Sequence, residues 1–363
     1  MANTTISAAV RAKQWDDNFF MEYVRANRFK RYMGTSENSI IQVKNNLTKK
    51  KGDAITINLI GALDADAGPN TGTTTLVGNE KALPNDGHKV SIGVVRDATV
   101  VNVEEEQASA FDVRDAGRQA LKDLSMRYLR NAIIRALGSV QGVAYATATA
   151  AQRNQWNAAN ADRVLYGDAL ANYNATHATA LNNVTADMRL TRKIVSLAKQ
   201  IAQEAETVNG DGIRPFTYGE DEETYVMFVD SRAYRDLKQD LETVHKDARE
   251  RSLNNPLFTG TTSLYWDGVV IREIPEIGSF NNTATTPIPV SPIYLCGAQA
   301  LAVAWAMTTK TTLRKEDDYG FQYGVGFMEM RGVEKILWGQ GTTGAKDWSM
   351  VTGFVSAPVA AAP

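Results

Sequence analysis

KVSIGVVRDATVVNVEEEQASAFDVRDAGRQALKDLSMRYLRNAIIRAL, Lys89 to Leu137, is the stretch on which the fold of this chain turns. Its first part, Lys89 to Val103, alternates β-branched and polar residues and predicts a long strand with a bulge at Gly93. Its second part predicts a single helix from Glu104 to Leu137. Glu104, Glu105 and Glu106 suit the positive end of a helix. Val113, Ala116, Ala120, Leu124 and Tyr128 keep 3–4 spacing, Leu129, Ile133 and Leu137 extend the apolar surface, and Gly138 ends it. Upstream, Ala54 to Ile60 (AITINLI) reads as a strand, Gly61 to Thr75 with Gly68-Pro69-Asn70 as a loop, and Asn85-Asp86-Gly87 as a turn. A hairpin spanning 49–103 with so few apolar residues is marginal alone and must lie on something else. The helix would be about 34 residues, roughly 50 Å long. A compact body of about 200 residues is only some 40 Å across. Elements that outreach their own domain imply contact with neighbouring copies.

Composition narrows the class. The chain has 363 residues, enough for two or three domains with substantial cores. Hydrophobic content of 44% and charged content of 22% are those of a folded globular protein. A net charge of -2 argues against a broad basic face for nucleic acid. One cysteine, Cys296, excludes an intramolecular disulfide framework and fits a reducing compartment. No basic stretch followed by an apolar run opens the sequence, so no signal peptide is expected. The longest apolar run, Leu295 to Met307, is interrupted by Gly297 and Gln299 and is too short to cross a bilayer.

Residues 1–48 read as an arm in which Trp15, Phe19, Phe20, Tyr23, Val24 and Phe29 recur at helical spacing until Gly34. Such a helix can dock on its own body or on a neighbour's. Residues 141–186, rich in Ala, Asn and Thr, read as an insertion of surface loops with a short helix. Asp187 is placed to cap a helix running through Leu190, Ile194, Leu197 and Ile201 to Asn209-Gly210. Tyr225 to Val229 reads as a buried strand, Ser231 to Arg251 as charged helix, and Leu264 to Ile274 as a strand. Three further strands are expected over Thr311 to Asp317, Tyr323 to Met330 and Val333 to Leu337, with a frayed Ala/Pro-rich tail after Val351. This mixture is that of an α+β fold.

A search for chemistry leaves no catalytic constellation. His88, His177 and His245 stand at no metal-ligand spacing from one another or from Cys296. Gly339-Gln-Gly341-Thr-Thr-Gly344 matches GxGxxG, but a dinucleotide site needs a helix to begin there, and the next nine residues have little periodicity. Asp64-Ala-Asp66 opens like a calcium loop without the closing glutamate, and Asp317 and Asp318 are adjacent and would diverge. Lys49, Lys50 and Lys51 form a basic cluster suited to solvent, to an acidic neighbour or to phosphate. No cofactor or metal is expected.

Several stretches in order carry a family resemblance. They are Trp15/Phe19-Phe20 to Phe29-Lys-Arg-Tyr-Met-Gly34, then Leu47-Thr-Lys-Lys-Lys-Gly-Asp53, Gly78-Asn-Glu80 and Ala-x-x-Phe-Asp-Val-Arg114. Tyr225-Val-Met-Phe-Val229, Asn255-Pro-Leu-Phe-Thr-Gly260 and Trp266-Asp-Gly-Val-Val-Ile271 follow. Together, from about Trp15 to Trp338, the chain resembles the major capsid proteins of coliphage N-four-like tailed phages, with the Hong Kong 97-like capsid fold; residues 141–186 match nothing in that pattern. The resemblance implies an N-terminal arm (1–48), an extended β-hairpin loop (49–103) and a spine helix of a peripheral domain (104–140). It further implies an insertion (141–186), an axial domain (187–307), returning peripheral strands (308–345) and a tail (346–363). The implied function is an icosahedral head shell of hexamers and pentamers around double-stranded DNA. The implied partners are other copies of the chain, a portal, scaffold or decoration proteins and non-specifically held DNA, with no membrane. Trp15, Phe19, Phe20, Lys49, Lys50, Lys51, Glu80, Lys81 and Arg114 are the candidate inter-subunit contacts. An encapsulin-type compartment shell and, remotely, a nicotinamide-dependent enzyme are the alternatives.

Overall fold

The computed structural model describes residues 24–45, 52–64, 68–73, 75–109, 111–217, 223–249, 263–317, 319 and 321–359. Among them the chain forms two compact units. One comprises residues 24–27, 94–129 and 307–330; the other comprises 28–45, 52–93, 130–306 and 331–359. No helix among the described residues is long and apolar enough to cross a membrane.

The larger unit is built on an eight-stranded sheet with the principal order Val164–Tyr166, Met350–Ser356, Pro289–Cys296, Glu223–Val229, Val269–Glu273, Ser263–Trp266. Alternation decides what covers each face. Tyr225, Met227, Val229, Ile293, Leu295, Val351 and Val355 share a core with Ile194, Val195, Ala198 and Ile201 of helix Arg192–Glu204 and Leu237 and Leu241 of helix Ser231–Arg249. On the opposite face Val164, Tyr166, Val290 and Phe354 pack with Trp156, Ala180 and Leu181. Phe228 on that face meets Phe29 and Tyr32 edge-on, with ring centroids 5.0 and 5.3 Å apart.

Two sequence expectations are overturned here. The expected frayed tail is a central strand: every residue of Met350–Ser356 is buried, paired with Pro289–Cys296 from Val290↔Ser356 to Cys296↔Met350. A strand buried on both faces shows no alternation, and the Ala/Pro-rich residues behind it masked the run MVTGFVS. The expected insertion of surface loops with a short helix is instead packed into a core that it shares with Val290 and Phe354 of the sheet. Helix Ala150–Ala159, capped reciprocally by Thr149 and Gln152, supplies Trp156, and strand Val164–Tyr166 joins the sheet parallel to Met350–Ser356.

Other boundaries shift for local reasons. The helix expected from Asp187 begins at Arg192, whose N–H donates to Asp240 Oδ2 at 2.8 Å, and it ends at Glu204. The strand expected over 264–274 is a hairpin, Ser263–Trp266 and Val269–Glu273, turning at Asp267 and Gly268 with φ of 48° and 74°. The last three strands are two long ones, Leu301–Asp317 and Gln322–Lys335, followed by the short Leu337–Trp338. Gly34, expected to stop a helix, lies in strand Met33–Gly34, after the short 3-10 turn Arg28–Tyr32.

The helix expected over 104–137 is broken into Val103–Ala108 and Val113–Leu137, of which residues up to 129 belong to the smaller unit. Ser109 Oγ bonds the backbone of Phe111, and Asp112 Oδ1 accepts from the Asp115 N–H at 2.9 Å. The local bonds of Ser and Asp compete with helix continuation and restart it. The second helix has 25 residues, about 37 Å at 1.5 Å each. Its first part turns Leu121 inward against Val325, Phe327 and Val95. Ser125 donates to the buried Glu329 carboxylate at 3.1 Å, as does Thr309 at 2.7 Å. Ala120, Leu124 and Tyr128, expected to form its apolar face, are exposed instead, because the packed row is Leu121 and Ser125.

Candidate functional site

The excursion between residues 52 and 92 is where sequence and structure differ most. Strands Ala54–Ile60 and Asn85–Ser91 pair antiparallel over seven residues, from Ala54↔Ser91 to Ile60↔Asn85. Asn85-Asp86-Gly87, expected as a turn, is therefore strand, and the second strand stops at Ser91; Gly93–Asn102 belongs to a different sheet. Inward residues Ile55, Leu59 and Val90 are buried with Ala302, Ala304 and Ile336, and Trp338 and Trp348 pack against them. The hairpin base does lie on something: its own larger unit.

Side chains hold that base to the segment from Gly332 to Gln340. The Ser91 N–H donates to Glu334 Oε1 at 2.9 Å, and the Leu337 N–H donates to His88 Nδ1 at 3.3 Å. The Gly339 N–H donates to Asp86 Oδ2, while Gln340 bonds both the N–H and the C=O of Lys89 at 2.6 and 2.9 Å. A Cβ on Gly332 would overlap the Ser91 carbonyl, so glycine permits the close approach. His88 is fully buried at an inward strand position. Burial outweighs the nearby Asp86 and lowers its pKa to about 4, leaving it neutral 3.7 Å from Glu334, whose own pKa burial raises. His88, Asp86 and Gln340 escaped sequence reasoning. The available signal was the alternation Asp86, His88, Val90, visible only once 85–91 is read as strand.

The connection across the hairpin end behaves differently. Its root is fixed: the Gly61 N–H donates to Pro84 O at 2.9 Å, the Ala62 N–H to Val208 O at 3.2 Å, and Asn209 to Ala62 O. Beyond it, Glu80 and Lys81 bond within the segment. Glu80 accepts from the Gly78 N–H at 2.7 Å and Lys81 donates to Asp64 O at 2.6 Å. Leu63, Leu76, Val77 and Leu83 are half or more exposed, Val77 at 80%. Of the other candidate contacts, Arg114 is paired with Glu106 at 2.9 Å and lies over the Tyr323 ring at 4.8 Å. Trp15, Phe19, Phe20, Lys49, Lys50 and Lys51 lie outside the described residues.

Beside the hairpin, Lys335 and Asp347 form an ion pair at 2.8 Å with both side chains 1% exposed. The same carboxylate accepts from Trp156 Nε1, and the Asp347 N–H donates to Asn160 Oδ1, joining the 150–160 helix to this region. Gly339 to Gly344 is a turn, with the Thr342 N–H donating to Gly339 O. Strand Lys346–Asp347 follows, where a dinucleotide site would need a helix. Cys296 is buried, and burial pushes its thiol pKa up, so it is a poor nucleophile. His177 is enclosed by Tyr145 and Tyr166 hydroxyls at 2.8 and 2.7 Å, and burial lowers it to about 4. The described residues thus bring together a clamped hairpin and an apolar exposed tip, not a reaction centre.

A model of the phage capsid protein family matches residues 3–358. The chain belongs to that family. A chain of the cyanophage Pam1 capsid is similar at 34% identity, covering 98% of this chain and 99% of the other, with a TM-score of 0.86. The capsid of Ralstonia phage GP4 is similar at 20% identity over the whole of both chains, TM-score 0.77. That of Helicobacter pylori bacteriophage KHP30 is similar at 12% identity over 96% and 95%, TM-score 0.66. No curated protein matches. The fold is the Hong Kong 97-like α+β capsid fold, and the chain is a major capsid protein of a tailed-phage head shell, located in the virion. It is a structural subunit, not an enzyme.

Proposed function

We propose that this capsid protein closes an icosahedral shell of hexamers and pentamers of itself, and that the tip spanning residues 61–84 is one of its inter-subunit contacts. The observation that carries this reading is the contrast within one hairpin. A base held by side chains supports a tip whose Leu76, Val77 and Leu83 are 65%, 80% and 52% exposed. Exposed apolar groups on one loop suit an interaction surface. Glu80 and Lys81 lie on that tip, and their charges suit its rim. In this reading 1–48 is the arm, the hairpin of Ala54–Ile60 and Asn85–Ser91 with its connection is the extended loop, residues 94–129 with 307–330 are the peripheral domain that holds the spine helix, and the eight-stranded sheet with its helices is the axial domain. The resemblance further supports membership of the coliphage N-four-like group. It also supports encounters with a portal, with scaffold or decoration proteins, and with non-specifically packaged double-stranded DNA.

The test is to replace residues 62–83 by a two-residue Asn-Gly turn between Gly61 and Pro84, which already face one another through a hydrogen bond. A folded, soluble subunit that forms no closed particles is expected in sedimentation velocity and negative-stain microscopy. Closed particles of normal size would remove the tip from the assembly contacts.

A further inference from the structure

The chain's one Asn-Gly pair, Asn209-Gly210, stands at the root of the hairpin tip. It lies in the loop that follows helix Arg192–Glu204, and both of its residues are exposed. Asn209 has a φ of 57°, in the left-handed region that asparagine tolerates. Its Nδ2 donates to Ala62 O at 3.2 Å, and the carbonyl of Val208 just before it accepts from the Ala62 N–H at 3.2 Å. Ala62, where the tip begins, is therefore held at both its backbone groups by two consecutive residues. The Gly210 N–H donates to Thr207 Oγ1 at 3.1 Å, not to a helix or strand carbonyl. We propose that Asn209 is a self-modification site, converted to aspartate or isoaspartate through a cyclic imide with the Gly210 nitrogen, and that the conversion releases the root of the tip.

The chemistry needs only water. Hydroxide takes the Gly210 N–H proton, the nitrogen bonds Asn209 Cγ, and the Cγ–Nδ2 bond breaks. Ammonia leaves with a proton from water, which restores the hydroxide. Water then opens the imide at one of its two carbonyls, giving aspartate or isoaspartate. Three features single out this asparagine. Gly210 has no Cβ to shield its nitrogen. The hydroxyl that holds this nitrogen turns about one bond, so a rotamer change frees it where a helix or strand would have to open. One exposed bond to Ala62 restrains the Asn209 amide. Asn79 and Asn85, also exposed, precede Glu80 and Asp86, whose side chains crowd the nitrogen, and Asn85 is paired in a strand besides. Conversion at 209 replaces an amide donor by a carboxylate facing the Ala62 carbonyl, two residues from Asp211. Isoaspartate also lengthens the main chain by one carbon in the loop that supplies Val208 O. Taken with the reading of 61–84 as an assembly contact, on which this consequence rests, the loop is a slow chemical control on how firmly the tip is presented.

The experiment incubates the dilute full-length subunit at mildly alkaline pH for days and locates isoaspartate by peptide mass spectrometry. Amide exchange over residues 61–64 is measured on fresh and aged protein, on Asn209→Asp and on Gly210→Ala, whose Cβ would meet the rotatable Thr207 hydroxyl. Isoaspartate is expected at 209 before any other asparagine, and is lost over the same period in Gly210→Ala. Exchange at 61–64 should be about tenfold faster in the aged protein and in Asn209→Asp, as for one lost hydrogen bond, and should not change on ageing Gly210→Ala. Asn209 still intact when other asparagines have converted, or conversion with unchanged exchange at 61–64, overturns the proposal. The aged parent carries the test even if Asn209→Asp folds poorly. No reading uses particle formation, so failure here leaves the assembly role of 61–84 standing, and failure of that role leaves the modification standing.

Discussion

The base and the tip of one hairpin obey opposite rules. Base residues Ile55, Leu59 and Val90 are buried, and backbone groups across it receive bonds from Glu334, His88, Asp86 and Gln340. At the tip Leu76 and Val77 are exposed, and Glu80 and Lys81 bond only their own loop. Mutations in the base should therefore act on the stability of the subunit, whereas mutations in the tip should act on association and leave stability alone. The comparison fails if the two kinds of effect do not separate.

The largest effect on stability is expected from Leu59→Ala. Leu59 is 3% exposed and packs where a deleted side chain leaves a cavity, so a loss of about 2–4 kcal/mol should appear in urea unfolding of the monomer. A loss below about 0.5 kcal/mol would mean that the base is as peripheral as the tip.

Acid tests the same clamp through His88. Its folded pKa of about 4 lies below the ordinary value of 6.5, so the unfolded chain binds the extra proton between these limits. Its contribution is fully present above pH 6.5 and is lost as pH falls toward 4, by up to about 3 kcal/mol. Glu334 runs the other way, since its raised pKa relieves a penalty when it protonates. His177 shares the direction of His88 and stays in the background of both proteins. His88→Gln should flatten the fall in urea midpoint between pH 7 and 4.5 without abolishing it; an unchanged slope would remove His88 from the acid response.

Smaller still is Gln340→Ala, which deletes two exposed bonds to Lys89 and should cost about 1 kcal/mol by thermal melting. Smallest in stability is the double change Leu76→Ser and Val77→Ser, expected within about 0.5 kcal/mol of the parent. Its closed-particle yield should nevertheless fall severely, because every copy of a symmetric assembly loses the same contact. A destabilised monomer with normal particles would invert the whole comparison.

Strand Ala54–Ile60, the buried strand beginning near Tyr225 and the helix through Ile133 were legible because local period and turn chemistry agree with tertiary burial there. So was the dismissal of Gly339–Gly344, since no helical pattern follows it. The break at 109–112 was less visible, because Ser109 and Asp112 are tolerable within a helix and become stops only when their side chains bond the backbone. Met350–Ser356 was misread because a strand buried on both faces carries no alternation. Residues 141–186 were misread because Trp156, Tyr166 and His177 are scattered among Ala and Asn.

By itself, then, the sequence determined the α+β class, the presence of a strand at Ala54–Ile60 and of a long helix downstream, and a near-neutral chain with one cysteine and no evident catalytic set. These depend on periodicity, composition and charge, which are local quantities. Tertiary structure alone decided that Val90 and His88 face Ile336 and Leu337, that Asp347 pairs with Lys335, and that Ala120 and Leu124 turn outward while Leu121 turns inward. Each of those outcomes joins residues distant in sequence or chooses between two apolar helix rows. The choice is made by whichever arrangement buries more apolar surface while satisfying the buried polar groups, a comparison no local window contains.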